Sequence, residues 1–416
     1  MELLRHLLGL PGFRPFSRQV ASSDLLANFC GLLTIEGIKW SSKSTAERAS
    51  KVFAPEQLRR LNQVLCEVSC NPDLSRDLGL EKEVDASVCL VDSTCLEANI
   101  HYPTDWVLLK DVSMTLLKAI KLIRKRRLVN RMPEGPEELA RMMNRLCIEM
   151  THARRKKDAS KTRKKVLRQM KKLLKKIGMH AQRHRDLLEQ NWGHTELSQR
   201  QSQRIIDRID ERLAQMPQVI SQAHERIIGG RQVPSQNKIL SAHEADVHVI
   251  VRGKAAKEVE FGNALFICES ADGFITDYHL YKEKPPGERV KLIESLERQN
   301  ALDIERPIEA VVGDRGFDSK ATEKALREAG IENVVCPKSV AQLKKRMEDP
   351  RFQSLQRRRG STEARIAILT NNGGRVCRAK GYENRARAVG WGVLAHNFWW
   401  VARKVRDQAD GQLKAA

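Results

Sequence analysis

Three acids stand out by position. Asp92 closes the apolar run Ala86-Ser87-Val88-Cys89-Leu90-Val91, and Asp314 closes Ile308-Glu309-Ala310-Val311-Val312-Gly313. Glu363 stands at the start of a predicted helix, in Arg357-Arg358-Arg359-Gly360-Ser361-Thr362-Glu363. Hard divalent cations need oxygen ligands at fixed distances. Acids at neighbouring strand ends, with a third from a nearby helix, therefore suit two Mg²⁺ about 4 Å apart. Such a pair activates water or a 3′-hydroxyl and stabilises the leaving oxygen of an in-line phosphodiester displacement. Each acid also has a local reading: Asp92 as a turn cap, Asp314 as a turn acid paired with Arg315, Glu363 as a first-turn acid answering the helix dipole. Taken together they favour metal chemistry, while Asp318 is assigned to capping the next helix. Glu97 and Asp105 are left outside the metal set, and Glu348 and Glu383 are secondary alternatives to Glu363.

The surrounding pattern supplies elements to carry these acids. β-prone runs fall at 86–91, 247–251, 264–268, 274–278, 308–312 and 334–336, with turn residues such as Asp272-Gly273 between them. Residues 247–278 read as an antiparallel meander. The strand at 308–312, a helix over 320–329 stopped by Gly330, and the strand at 334–336 imply a parallel α/β element. From about 338 the chain reads as helical, with a loop near 371–382 and a buried closing helix through Val389, Trp391, Val393, Leu394, Phe398, Trp399 and Val401. Residues 1–82 form a helical module with Pro55 at a helix start. Between 107 and 230, apolar residues recur at three and four (Leu167, Met170, Leu174, Ile177), interrupted at Gly135-Pro136 and Asn191-Trp192-Gly193. Three or four helices are expected there, as a bundle or hairpin arm.

Charge names the partner. With 74 Lys+Arg against 52 Asp+Glu, the 416-residue chain carries +22, which favours a polyanion, nucleic acid before an anionic membrane. Residues 151–180 hold thirteen Lys/Arg and one acid, so +12 sits in thirty residues. That exceeds what solubility asks and points to DNA phosphate contact, with Lys161, Lys164, Lys165, Arg168, Lys171, Lys172 and Lys175 on the polar sides of the predicted helix. Aromatics at 5% argue against a stacking-dominated single-strand binder. Nine scattered cysteines without a CxxC pair indicate a reducing cytosol, and His180 and His184 read as solvated helix surface. The Leu-rich Met1–Phe16 stretch is broken by Arg5, His6 and Pro11, and no long apolar run exists, so a soluble cytoplasmic protein without a membrane span is expected.

The motifs Val91-Asp-Ser-Thr-Cys-Leu-Glu-Ala-Asn-Ile-His-Tyr-Pro-Thr-Asp105, Lys238-Ile-Leu-Ser-Ala-His-Glu244, Glu260-Phe-Gly-Asn263, Gly313-Asp-Arg-Gly-Phe-Asp-Ser319, Arg357-Arg-Arg-Gly-Ser-Thr-Glu363 and Gly390-Trp-Gly-Val-Leu-Ala-His-Asn397 resemble bacterial insertion-sequence transposases of the DDE class. They occur in the order of that class, from roughly 41 to 405. The resemblance implies an α/β, ribonuclease-H-like core with a mixed sheet, formed by 83–106 and 231–405. A basic helical insertion (107–230), an N-terminal module (1–82) and a flexible tail (406–416) complete the expected organisation. It further implies an enzyme that cleaves transposon ends and joins them to target DNA. Asp92, Asp314 and Glu363 would hold two Mg²⁺, with Mn²⁺ as an alternative ion, and a homodimer would act on terminal repeats and target duplex. Many relatives carry Tyr-x2-Arg-x3-Glu-x6-Lys around the last acid. Arg359, assigned to DNA contact, stands at the Arg position, whereas Gln356 and Thr370 stand at the Tyr and Lys positions. Two other functions remain open: an inactive DNA-binding protein or repressor derived from a transposase, and a metal-dependent structure-specific nuclease.

Overall fold

The computed structural model describes every residue except 11, 41, 154, 156, 235, 236, 255, 256, 372–378 and 416, and omits the side chains of 252–254, 257, 370, 371 and 412–415. It divides into two units, residues 1–99 with 248–416, and residues 100–247.

The first unit begins with α1 (Glu2–Leu7), α2 (Phe13–Ala21), α3 (Asp24–Phe29), a hairpin of β1 (Leu33–Thr34) and β2 (Gly37–Ile38), and α4 (Lys43–Ala49). Phe13, Phe16, Val20, Ala27 and Ala46 form a small core of their own. The hairpin was not expected; Gly37, at φ 111°, allows its tight return. α5 (Pro55–Cys70) does start at Pro55, yet it does not belong to a separate 1–82 module. Its Leu58, Leu65 and Cys66 pack with Phe274, Leu394 and Trp400, and its buried Asn62 accepts a hydrogen bond from Asn397 Nδ2 (2.9 Å). Burial of that face ties α5 to the sheet that follows.

After α6 (Leu74–Asp77), β3 (Val88–Glu97) enters the middle of the main sheet. The chain then leaves for the second unit: α7 (Asp105–Lys125), α8 (Pro136–Ala153), α9 (Ala159–Asn191) and α10 (Gln199–Ile227). Their apolar stripes meet in one core that includes Leu116, Ile120, Met143, Leu174, Ile177 and Ile209. α10 opens with a reciprocal cap, Ser198 accepting from Gln201 N–H (3.3 Å) and Gln201 Oε1 from Ser198 N–H (2.9 Å). The unit is wider than the 107–230 read from composition. Asp105 is held by Arg226 (2.9 Å) and Gln222 (3.2 Å), and Gln222 also takes both backbone groups of Ile239. His180 and His184 are buried rather than solvated: His184 Nδ1 meets His180 O (2.7 Å) and its Nε2 accepts from Asn130 N–H.

Returning to the first unit, β4 (His248–Lys254), β5 (Lys257–Ser270) and β6 (Ile275–Leu280) precede α11 (Glu288–Asn300), β7 (Ala310–Val312), α12 (Lys320–Glu328) and β8 (Glu332–Asn333). The expected antiparallel meander is present, but β5 is its hub: β4 and β6 pair with successive parts of β5, and β3 pairs with it from Cys89↔Ser270 to Glu97↔Gly262. On its other edge β3 runs parallel to β7, which runs parallel to β8. The result is a mixed α/β unit with the order β4-β5-β3-β7-β8. β8 ends before the predicted 334–336, although Val334 N–H still donates to Val311 O and Cys336 N–H to Gly313 O.

Alternation along β3 divides the core. Cys89 and Val91 pack with Phe266, Leu292, Phe317 and Leu326 on one face. On the other, Leu90, Ala310 and Val312 meet Val334 and Phe352, and Leu265 and Ile267 meet Ile366, Val389 and Val393. These last helical residues come from α14 (Pro350–Asn371) and α15 (Tyr382–Ala415), which follow α13 (Val340–Arg346). α15 continues as helix to Ala415, through the segment expected to be a flexible tail, with Arg403 and Asp407 paired one turn apart (3.5 Å). Within it Trp400 is buried, whereas Phe398 and Trp399 are exposed against expectation. Among the described residues no helix is long and apolar enough to cross a membrane, and no disulfide joins the described cysteines.

Candidate active site

Asp92 does not end its strand; β3 continues five residues further, because β5 pairs with it along that whole length. What ends near Asp92 is the parallel ladder with β7, whose last register pair is Leu90↔Val312. Two residues beyond that pair stand Asp92, still on β3, and Asp314, just past the end of β7, near enough for their charges to interact. Asp92 shares the face of Leu90, the face that α14 covers. Asp314 Oδ1 accepts from Gly316 N–H (2.8 Å) and so caps the short 3-10 turn at Arg315–Phe317. A Cβ on Gly313 would lie 3.2 Å from Phe317 Cδ2 and 3.3 Å from Val91 Cγ2, so the close fit that turns the chain toward Asp92 leaves little room for a side chain. Asp318 does not cap α12. Ser319 does, accepting from Thr322 N–H (3.0 Å), while Asp318 Oδ2 accepts from Lys338 N–H (2.7 Å).

The Asp92 carboxyl is 14% exposed. Its pKa is pushed up to about 6 by burial and by the adjacent charge of Asp314, against the opposing Ser93 N–H (2.7 Å to Oδ1) and the Arg359 guanidinium. Negative charge is thus concentrated faster than the protein neutralises it. Ser93, on the opposite face, donates its hydroxyl to Glu288 Oε2 (2.7 Å), whose other oxygen accepts from Lys291 Nζ (2.7 Å).

Glu363 lies well inside α14 rather than at a helix start, so the helix-dipole explanation for it does not apply. The Arg-Arg-Arg-Gly sequence that suggested a start is helical throughout. α14 crosses the sheet on residues spaced three and four apart: Phe352 in the core, Gln356 donating to Val334 O (2.6 Å) and Gly313 O (3.3 Å), then Arg359, Thr362 and Ile366. Gln356, standing where relatives of the DDE class carry Tyr, therefore clamps α14 to the turn that presents Asp314. Glu269, fully buried on β5, accepts from Thr362 Oγ1 and Arg365 Nε, both at 2.7 Å. Reading the sequence did not single out Glu269, yet a signal existed: an acid directly after the apolar run Ala264-Leu-Phe-Ile-Cys268. Glu383, the secondary alternative, pairs with Arg387 instead (3.6 Å).

Arg359 sits among the acids. Its Nη1 is 3.3 Å from Glu363 Oε1 and 4.0 Å from Asp92 Oδ2, and its Nε is buried without a hydrogen-bond partner. Glu363 is 64% exposed. Among the described residues no group of three or more His, Cys, Asp or Glu side chains is arranged to hold a metal ion. Asp92 and Asp314 nonetheless fit a hard cation in chemistry and charge, being adjacent oxygen donors with unneutralised charge; the third acid is joined to them through a guanidinium.

The predicted basic residues lie on α9 in the helical unit. At 3.6 residues per turn, Lys161, Lys164, Lys165, Arg168, Lys172 and Lys175 project within one arc about 100° wide. That arc is centred opposite buried Val166, Leu167, Met170, Leu173, Leu174 and Ile177. None of the six forms a salt bridge among the described residues. Lys171 sits at the edge of the arc, half-buried, donating to His224 Nδ1 (2.9 Å), and its pKa is lowered by burial and by Lys175 and Arg168. The stripe spans about 21 Å at 1.5 Å per residue.

No protein-family model matches this chain, and no curated protein or solved structure matches it.

Proposed function

We propose that the protein is a DNA transposase of the DDE class, built on a ribonuclease-H-like core, that cleaves transposon ends and joins them to target DNA. The observation that carries this reading is the convergence of Asp92, Asp314, Arg359 and Glu363, from three distant parts of the chain, on one opening of a mixed sheet. The central position of β3, antiparallel to β5 and parallel to β7, supports the ribonuclease-H-like reading, because it sets the first acid on one strand and the second just past the end of its parallel neighbour. Asp92, Asp314 and Glu363 are the residues that would hold Mg²⁺ or Mn²⁺. When bound, a pair of such ions supplies activation of the attacking oxygen and stabilisation of the leaving one.

The protein's own groups do the positioning. The Ser93 N–H and the Gly316 N–H each fix one carboxylate oxygen, on Asp92 and Asp314. Gln356 and Glu269 hold α14 against the sheet, which sets the reach of Arg359 and Glu363. The α9 stripe supplies sequence-independent phosphate attraction, and the same reading takes the active form as a homodimer on double-stranded DNA in the cytoplasm.

The test uses purified wild type and Asp314→Asn with labelled terminal inverted repeats and Mg²⁺. Wild type is expected to cleave and to give strand-transfer products with target DNA, and the variant to bind without cleaving. Equal cleavage by both would overturn the assignment. Cleavage without joining would mark a structure-specific nuclease, and binding without cleavage by wild type an inactive DNA-binding protein.

A further inference from the structure

We propose that Arg359 is a built-in counter-ion that holds the cation position between Asp92 and Glu363, and that it must leave before a divalent ion is bound there. The inference rests on the proposed metal site and extends it to how that site is loaded. One guanidinium nitrogen, Nη1, stands 3.3 Å from Glu363 Oε1 and 4.0 Å from Asp92 Oδ2. A cation shared by these two carboxylates has to occupy the same space, and two cations cannot share it. Arg359 is poorly satisfied where it lies: Nε is buried without a partner, an uncompensated desolvation cost. The carboxylates gain from its presence, since Asp92 is hemmed in by Asp314 and Glu363. Thr362 and Arg365, on the same helix, hold Glu269 and anchor the backbone on either side of Glu363. Exchange therefore requires only a side-chain movement of Arg359, with α14 remaining in place.

A DNA phosphate offers Arg359 a second anion and a bidentate fit. Substrate then draws the guanidinium away from the acids and strengthens metal binding, and by linkage metal strengthens DNA binding equally. The site would stay partly neutralised until DNA arrives.

The experiment is Mn²⁺ titration of the full chain followed by electron paramagnetic resonance. It compares wild type, Arg359→Met, Arg359→Lys and Asp314→Asn, with thermal melts to confirm folding. Without DNA, Arg359→Met is expected to bind Mn²⁺ about tenfold more tightly than wild type, and Arg359→Lys, which keeps the charge, to stay close to wild type. With a short duplex, and Mn²⁺ held by the DNA itself subtracted using Asp314→Asn, wild type should tighten and Arg359→Met should not. Unchanged or weaker Mn²⁺ binding by folded Arg359→Met overturns the inference, and so does equal tightening by DNA in both proteins. The underlying site is judged separately: if Mn²⁺ bound to wild type is unaffected by Asp314→Asn, the metal site itself fails. If Asp314→Asn removes it while Arg359→Met behaves as wild type, only the role given to Arg359 fails.

Discussion

The sheet unit and the helical unit treat charge in opposite ways. In the sheet unit, acids are drawn under cover and answered by specific partners. Glu269 is met by Thr362 and Arg365, Asp277 by Ser295 and Arg298, and Asp92 only partly by Ser93 and Arg359. In the helical unit, six cations of α9 are displayed on one face, away from the core and outside any salt bridge among the described residues. One of its buried acids, Asp105, is answered by Arg226 and Gln222. Buried charge costs so much desolvation that it persists only where geometry holds a partner for it. Exposed charge costs little and acts at a distance through a field that salt screens. The incompletely answered acids are therefore where local chemistry belongs, and the stripe is where long-range attraction belongs.

That contrast can be broken at either end. The largest effect is expected from Asp314→Asn: Mg²⁺-dependent cleavage should fall about a thousandfold or more, on the scale of removing a preorganised electrostatic contact from a transition state. DNA affinity, measured without divalent metal by filter binding or anisotropy, should be unchanged. Next is Glu269→Ala, which leaves Arg365 facing a buried void and frees α14. Denaturant unfolding should show the sheet unit weakened by about 3 kcal/mol, with the helical unit unaffected.

Third, replacing Lys161, Lys165, Arg168 and Lys172 together with Gln should weaken DNA binding by roughly a hundredfold. It should also flatten the slope of log affinity against log salt by about 3.6, four phosphates at about 0.9 each. Mn²⁺ binding should not change. An unaltered salt slope would reduce the stripe to a solvated face.

The smallest effect concerns pH. Folded Asp92 keeps its proton up to about pH 6, whereas the unfolded group loses it near 3.8. Between these values the folded state binds more protons, so Asp92 makes stability fall as pH rises, with the full cost present above about pH 6. Asp92→Asn should therefore stabilise the metal-free protein by about 2–3 kcal/mol at pH 8 and leave it nearly unchanged at pH 4, as read by thermal melts. A stabilisation that persists at pH 4 would show that the carboxylate charge is not its cause.

Much of the fold was legible where one residue pattern met one environment. The run 264–268 falls inside β5, the run 308–312 ends in β7, and the three-four spacing of Leu167, Met170, Leu174 and Ile177 is the buried side of α9. Misreadings occurred where a long-range partner overrode a local signal. Asp92-Ser93-Thr94 looks like the end of an apolar strand, but β5 supplies hydrogen bonds through Glu97. Arg357-Arg-Arg-Gly360 looks like an entry to a helix, but the face of α14 packed on the sheet carries the helix through it. His180 and His184 read as surface because their neighbours are basic, yet both lie on the inward side of α9. Glu269 was missed because its two partners lie more than ninety residues away in sequence.

Residue types and periodicity alone determined the mixed α/β character, a run of three or four helices between about 107 and 230, and the concentration of +12 in thirty residues. Those properties are set by local backbone preference and by counting charge, neither of which depends on what lies across the fold. Tertiary structure alone decided that Asp92 stands beside Asp314, that α14 is pinned by Gln356 and Glu269, and that Arg359 lies between Asp92 and Glu363. Distances between carboxylates and the burial that raises a pKa arise only when strands and helices remote in the chain are packed together, because electrostatic interaction depends on separation and dielectric surroundings rather than on position in the sequence.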